Sequence, residues 1–364
     1  MPPSLIKHAP LLLLTALPRG DCAPAVSPSS AQIANVNYGP IPGESLLYSN
    51  YYGITPPFPG NTTGAVLNTT SGPAAPNDLL FQNILGAEWT IFNFYQQGVE
   101  KFNTTSFTSA GFPNTTYQRI QQIRNNEAGH LRIFQDQIST NSIKPGPCSY
   151  QYPFTDANSF LALQTIIEVS SMAFVSGMEY ESMNPASASV LVAIGETESR
   201  HNTWSLIDVW NASPFAGPAD TVFPYANQLL DFTKAFIVPG SCPSQNPIYP
   251  NPPQTLAPFS VASDTKSIAP GSHITFNFTS ADLQPHFAPD KEYHAVFFHG
   301  VYNKSMPFDV KTNSSIIPAD FEPLGIIIAV IADEKGAPKN TSVIAGPTTF
   351  LEYPAVIGLE LAIG

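Results

Sequence analysis

Apolar side chains recur at steps of three and four from residue 77 to residue 211, and the recurrence breaks into four stretches, each with the pattern of a helix burying one face. The first opens at Asn77-Asp78, an N-cap signal, and carries Leu80, Ile84, Glu88, Phe92, Tyr95 and Val99 along one side. The second, roughly 115–140, carries Ile120, Ile123, Glu127, His130, Phe134 and Ile138. A Pro-rich crossover follows. The third, about 156–181, runs Phe160, Gln164, Ile167, Glu168, Met172 and Val175, and the fourth, about 186–211, runs Leu191, Ile194, Glu198, His201, Ser205 and Val209. Two helical hairpins joined by a long connection are therefore expected, with a short fifth helix over 225–237 capping them through Leu229, Leu230, Phe232 and Phe236.

Prolines then recur from Pro239 to Pro258, and beyond them the period changes from helical to two. Ile274–Phe278, Tyr293–Phe298, Ile326–Ile331 and Thr348–Tyr353 read as strands separated by Gly, Pro and Asn. The expected fold is an all-α four-helix bundle followed by a small all-β sandwich of the immunoglobulin-like kind. The expected division is a signal peptide over 1–25, an irregular Pro/Gly/Asn-rich lead over 26–75, the bundle over 76–238, a Pro-rich linker over 239–258 and the sandwich over 259–364.

Six polar residues interrupt the apolar stripes. Glu127 and His130 are three residues apart, as are Glu198 and His201, so each pair projects to one side of its helix and is able to grip one ion. Glu88 and Glu168 stand alone on the other two helices. A carboxylate on a core face is costly unless a metal, a base or a hydrogen-bond network meets it. One Glu from each of two helices plus Glu-x-x-His from each of two others is the ligand set of a di-metal site in a four-helix bundle. Tyr95, seven residues after Glu88 on the same face, is the candidate hydrogen-bond donor beside the ligands.

Composition narrows the setting. Charged residues make up 12% of the chain, against roughly 25% in ordinary domains, and the net charge is −12. An acidic chain without a Lys/Arg cluster or a Gly-rich phosphate loop is not built for nucleic acid. Lys7 and His8, the apolar run Leu11–Leu14 and small residues up to Ala25 read as a secretory signal. Sequons at Asn61, Asn68, Asn103, Asn114, Asn211, Asn277, Asn303, Asn313 and Asn340 avoid the stretch where the helices pack, which agrees with secretion, to the exterior or the cell wall. Loss of Cys22 with the signal leaves Cys148 and Cys242, both in Pro/Gly loops, and these are expected to pair. The mature chain has no expected transmembrane segment. Four histidines in the tail, His273, His286, His294 and His299, are read as surface or hydrogen-bonded residues, since His294 and His299 fall on opposite faces of one strand.

The stretch Leu85-Gly86-Ala87-Glu88-Trp89 through Phe94-Tyr95, with Glu127-Ala-Gly-His130, Ile167-Glu168 and Glu198-Ser-Arg-His201, resembles the ferritin-like proteins that include plant desiccation-related proteins and the secreted fungal stress-response proteins of the Rds type. The resemblance covers about residues 76–240 and extends to a Pro-rich link and a β-rich tail. It implies a ferritin-like bundle holding two iron or two manganese ions. Gly129 and Gly195, mid-helix beside the ligand pairs, are expected to serve close helix packing. The functional expectation is redox chemistry on dioxygen or peroxide in a stress response. The rival is a structural glycoprotein of the cell surface or wall, metal-stabilised or metal-free, that contacts the wall through its β domain. Iron storage ranks below both, because it needs a symmetric closed cage that a sandwich domain and many glycans would obstruct.

Overall fold

The computed structural model describes residues 64–351 except 219–221, 263, 264, 266, 279 and 323. The expected signal peptide with Cys22, most of the irregular lead, the Asn61 sequon and the last residues of the expected sandwich lie outside the described residues.

The amphipathic stretches form α1 (Asp78–Lys101), α3 (Thr116–Gln137), α4 (Ala157–Glu181) and α5 (Pro185–Trp204), with a short α2 (Thr104–Ser109) between the first two and α6 (Ala226–Thr233) after the last. α2 starts at Asn103, whose side chain accepts from Ser106 N at 3.1 Å while its own N–H reaches Ser106 Oγ, a capping box. Asp156 and Ser159 make the same box at the head of α4, and Asn184 followed by Pro185 starts α5. The helical run expected to reach 211 changes character at Trp204: residues Ser205–Val209 form a π-helical turn.

Asn77 is no cap. Its side-chain Oδ1 takes the backbone N–H of Met183, in the α4–α5 connection, at 2.9 Å, so a tertiary contact replaces the expected local one. The anchoring falls instead to Asp78, which accepts from Ala75 N, Ser139 N, Ser139 Oγ and Ser142 Oγ at 2.6–2.8 Å and so ties the start of α1 to the end of α3. Burial pushes the Asp78 carboxyl up, but these donors outweigh it and hold the group below its ordinary value.

α1 pairs with α3 and α4 with α5, giving two antiparallel hairpins face to face. One end of the bundle is filled by rings: Phe94 stacks on Phe160 at 4.6 Å between centroids, with Phe102, Phe107 and Phe154 around them. Gly98 makes room, since a Cβ there would sit 2.3 Å from the Phe160 ring. Each such fully buried side chain contributes roughly 1.5–3 kcal/mol. α4 is apolar and long enough to cross a bilayer, yet 78% of its most apolar window is buried among its neighbours, so its hydrophobicity serves the core. The crossover between hairpins is tied by the Cys148–Cys242 disulfide.

The Pro-rich stretch after α6 runs along α1. Asn83 and Asn251 exchange two hydrogen bonds at 2.8 Å, and Tyr249 lies where a Cβ on Gly86 would be, 2.6 Å from its ring. It leads into two antiparallel sheets, β1 (Phe259–Val261), β2 (His273–Phe278) and β5 (Ser314–Ile316) in the order β1-β2-β5, and β3 (His294–His299), β4 (Tyr302–Pro307), β6 (Ile326–Ala332) and β7 (Val343–Leu351) in the order β4-β3-β6-β7. This is the immunoglobulin-like sandwich, with one difference from the expected in/out alternation. Every residue of β3 and β6 is buried. Ala295, Phe297, Ile327 and Ala329 face the sandwich core, while Val296, Phe298, Ile326 and Ile328 join the core of the bundle. The four-stranded sheet is a middle layer, which is why its two central strands lack a polar face. His294 and His299 fall on its opposite faces, and His299 donates through Nδ1–H to Ile326 O at 2.8 Å while packing on Phe321.

Candidate metal centre

Helical spacing alone carries the six polar interruptions to one level of the bundle. Glu88 comes from α1, Glu127 and His130 from α3, Glu168 from α4, Glu198 and His201 from α5, and all six are buried. The Nδ1 atoms of the two histidines organise them. His130 Nδ1 lies 2.9 Å from Glu127 Oε2 and 3.3 Å from both Glu88 Oε1 and Glu198 Oε1. His201 Nδ1 lies 3.2 Å from Glu127 Oε1, 3.3 Å from Glu168 Oε2 and 3.6 Å from Glu198 Oε2. Glu127 and Glu198 thus turn one oxygen to each histidine, whereas Glu88 belongs to His130 and Glu168 to His201. Two overlapping four-residue groups result, each with its ligand atoms within 4.8 Å of one another.

Two neighbours brace one group and not the other. The Tyr95 hydroxyl donates to Glu168 Oε1 in a short hydrogen bond, and the Asn126 side-chain amide lies 3.0 Å from His201 Nε2. The tyrosine was legible from its position on the α1 stripe. The asparagine was not, because it sits beside the stripe of α3 and reaches a helix whose distance no spacing reveals. Gln164, one position from Thr165 and fully buried, is a third polar neighbour on α4, and it meets the Tyr95 phenol.

Protons alone balance the cluster unevenly. Burial and the neighbouring Glu127 charge push Glu88 well above the usual carboxylate range, and burial raises Glu168 likewise against the pull of His201. Burial and Glu198 work to raise Glu127, but His130 and His201 outweigh them and leave it lowered; burial works to raise Glu198 too, and the same two histidines hold it well down. Burial opposes charge on the imidazoles, yet Glu127 beside His130 and Glu168 beside His201 lift both well above their ordinary value. Tyr95 keeps its proton, since burial and the charge of Glu168 push its phenol well up.

Protons do not satisfy every atom. Glu88 Oε1, Glu127 Oε1 and Glu198 Oε2 are buried without a hydrogen-bond partner, although each faces a histidine nitrogen. A buried unmet acceptor costs about 1–3 kcal/mol. Three of them aimed at shared points, in a set of carboxylate oxygens and imidazole nitrogens, fit a cation bound between the helices. The cluster is able to hold metal.

The sequon asparagines among the described residues are exposed, apart from Asn313, which is half-buried. The disulfide agrees with an oxidising compartment.

Comparison with known proteins agrees with this geometry. The ferritin-like domain family matches residues 79–206, the segment that contributes all six cluster residues. The chain is also similar to Protein rds1 of Schizosaccharomyces pombe, 27% identical over 225 residues, which span 58% of this chain and about half, 54%, of that relative. The fold, the buried cluster and these two matches lead to one statement of kinship: the chain carries a ferritin-like domain, followed by a β-sandwich, and its likeness to an rds1 protein agrees with the Rds-type resemblance of its motifs.

Proposed function

We propose that Glu88, Glu127, His130, Glu168, Glu198 and His201 hold two iron or two manganese ions, and that the loaded protein is a secreted oxidoreductase acting on dioxygen or peroxide. The observation that carries this reading is the sharing of Glu127 and Glu198 between the two histidines. A carboxylate that turns one oxygen to each of two adjacent sites suits a pair of cations and has no use in a mononuclear one. Bound there, a redox-active pair would supply the two electrons that turn one peroxide into water.

The chain's own residues do the rest. Glu88 and Glu168 absorb charge at the two ends of the pair, and Tyr95 holds its proton on Glu168 Oε1, where a neighbouring oxygen that gains charge has a donor within reach. The aromatic end and the four helices exclude bulk water, which strengthens every charge interaction inside. Asn126 fixes the plane of the His201 ring.

The test compares metal-loaded wild type with Glu198→Ala. Two metal ions per chain, with peroxidase, catalase or ferroxidase turnover that the variant lacks, is the expected result. Equal turnover in both would mean adventitious metal. The exposed sequons favour a second reading, a surface glycoprotein whose metal only stabilises the bundle. That reading predicts metal-dependent thermal stability with no variant-sensitive turnover.

A further inference from the structure

The two hairpins present matching ligands, but the residues that flank those ligands along the helices do not match. α1 runs opposite to α4: Asn77 at the head of α1 meets Met183 just past the end of α4, and Phe94 in the second half of α1 stacks on Phe160 near the head of α4. One turn before each lone glutamate stand Ile84, at −4 from Glu88, and Gln164, at −4 from Glu168; two turns after stand Tyr95, at +7 from Glu88, and Val175, at +7 from Glu168. Because the two helices are antiparallel, Tyr95 and Gln164 share one end of the cluster, and Ile84 and Val175 lie toward the other. All four are buried. One end is therefore polar and the other apolar.

Gln164 is the costly member of the polar end. It is fully buried on the stripe that carries Glu168. Its Oε1 takes the Thr165 hydroxyl at 3.4 Å, a weak contact, since that hydroxyl also meets Leu161 O at 3.0 Å and Ser205 Oγ at 2.7 Å. Its Nε2, which carries two N–H donors, is buried without a hydrogen-bond partner. An unmet buried donor is destabilising, and an apolar residue such as methionine would hold the same place on the helix without that cost and with similar helix propensity. The other end shows that apolar closure works, since Ile84 and Val175 both belong to the hydrophobic core. The second donor at the polar end, the Tyr95 hydroxyl, is engaged with Glu168 Oε1.

A donor kept unmet beside the cluster asks for an acceptor that the chain does not supply. That acceptor must be small, because Gln164, Tyr95, Phe94 and Phe160 around it are all fully buried. Dioxygen is a feeble hydrogen-bond acceptor, whereas each oxygen of a peroxide accepts readily from an amide N–H. We infer that Gln164 binds the oxidant: its Nε2–H, beside the Tyr95 hydroxyl, holds a peroxide at the Glu168–His201 end of the cluster and not at the end closed by Ile84 and Val175. The inference rests on the oxidoreductase reading above and adds to it which oxidant is favoured, where it sits and which residue selects it. Gln164 holds and orients its ligand and gives up no proton.

The experiment titrates the iron-loaded full chain with azide, a small acceptor that stands in for peroxide without turning over, and follows the visible absorption of the complex. Gln164→Met, similar in volume but without a donor, should bind azide about tenfold more weakly at unchanged iron content, while Ile84→Val at the matching position of α1 should leave the affinity unchanged. In the metal-free chain Gln164→Met should unfold at a temperature no lower than wild type, because it removes an unmet buried donor. Equal azide affinity in wild type and Gln164→Met, the result expected if a water takes the place, overturns the inference and leaves the oxidoreductase reading intact. Absence of azide binding by iron-loaded wild type does the same. A lower unfolding temperature of metal-free Gln164→Met, or failure of both Gln164→Met and Gln164→Leu to fold, gives Gln164 a packing role and likewise overturns it. If no iron loads, the oxidoreductase reading falls and takes this inference with it.

Discussion

The two hairpins carry the same ligand complement, one Glu on the leading helix and Glu-x-x-His on the returning one, yet they are supported differently. The α1–α3 hairpin is tied at its base by Asp78 and its four donors, and its own ligands Glu88 and His130 lean only on other members of the cluster. Among the described residues the α4–α5 hairpin shows no such clamp, but its cluster residues Glu168 and His201 are each braced from across the bundle, by Tyr95 of α1 and Asn126 of α3. The first hairpin is thus the fixed half and supplies the bracing, while the second receives it. Identical ligands in unlike surroundings are expected to give two unequal sites.

The largest effect should come from removing what the halves share. Glu127→Ala or Glu198→Ala takes a ligand from both groups at once, so the metal content of purified protein should fall from two ions to near zero, whereas Glu88→Ala should leave the His201 group occupied. Loss of both ions from Glu88→Ala would mean that the halves are not separable.

Next in size is the clamp. Asp78→Ala strands buried donors and should cost about 3 kcal/mol of unfolding free energy in denaturant titration. Because the folded-state Asp78 value is depressed, its contribution is fully present above the unfolded-state carboxylate value and is lost as pH falls through the folded one. Wild type should therefore lose stability at the acid end, and Asp78→Ala should lose less there. By comparison the second hairpin is capped rather than clamped, and Asn184→Ala should cost about 1 kcal/mol.

Smaller still, and confined to one site, are the braces. Tyr95→Phe and Asn126→Ala should weaken one of two metal-binding steps by about 10- to 100-fold and leave the other in place, as read by competitive chelator titration. Protonation acts on both sites. The raised values of Glu88, Glu168, His130 and His201 mean that cations compete with protons, so loading should release protons and weaken as pH falls, with proton release measured in weakly buffered solution.

Most of the cluster was legible because its chemistry coincides with periodicity: a Glu or His that interrupts an apolar stripe announces both its burial and its face. Asn126 and Asp78 carry no such mark. One lies beside a stripe, the other at a helix end where a cap is the ordinary explanation, and each acts on a partner distant in sequence. The strands of the middle layer were legible as strands but not as two-sided, since continuous apolar runs such as Ile326–Ile331 describe burial without saying what lies on either side. The Pro-rich stretch looked like a tether because proline reports on backbone conformation, not on the docking of Tyr249 and Asn251 against α1. Gly195 was expected to serve close helix packing, yet a Cβ there would meet only Val175 Cγ1, at an ordinary 3.5 Å.

The Cys148–Cys242 bond has a topological consequence. It closes a covalent ring whose ends are 94 residues apart in sequence, and that ring contains α4, α5 and the exposed turn at Glu181–Met183 between them. A protease that cuts this turn leaves one molecule rather than two fragments, with Glu168 on one arm and Glu198 and His201 on the other still fastened at the far ends. Cleavage there would become visible on a denaturing gel only after reduction, and the nicked half retains the short tether it needs to find its partner again.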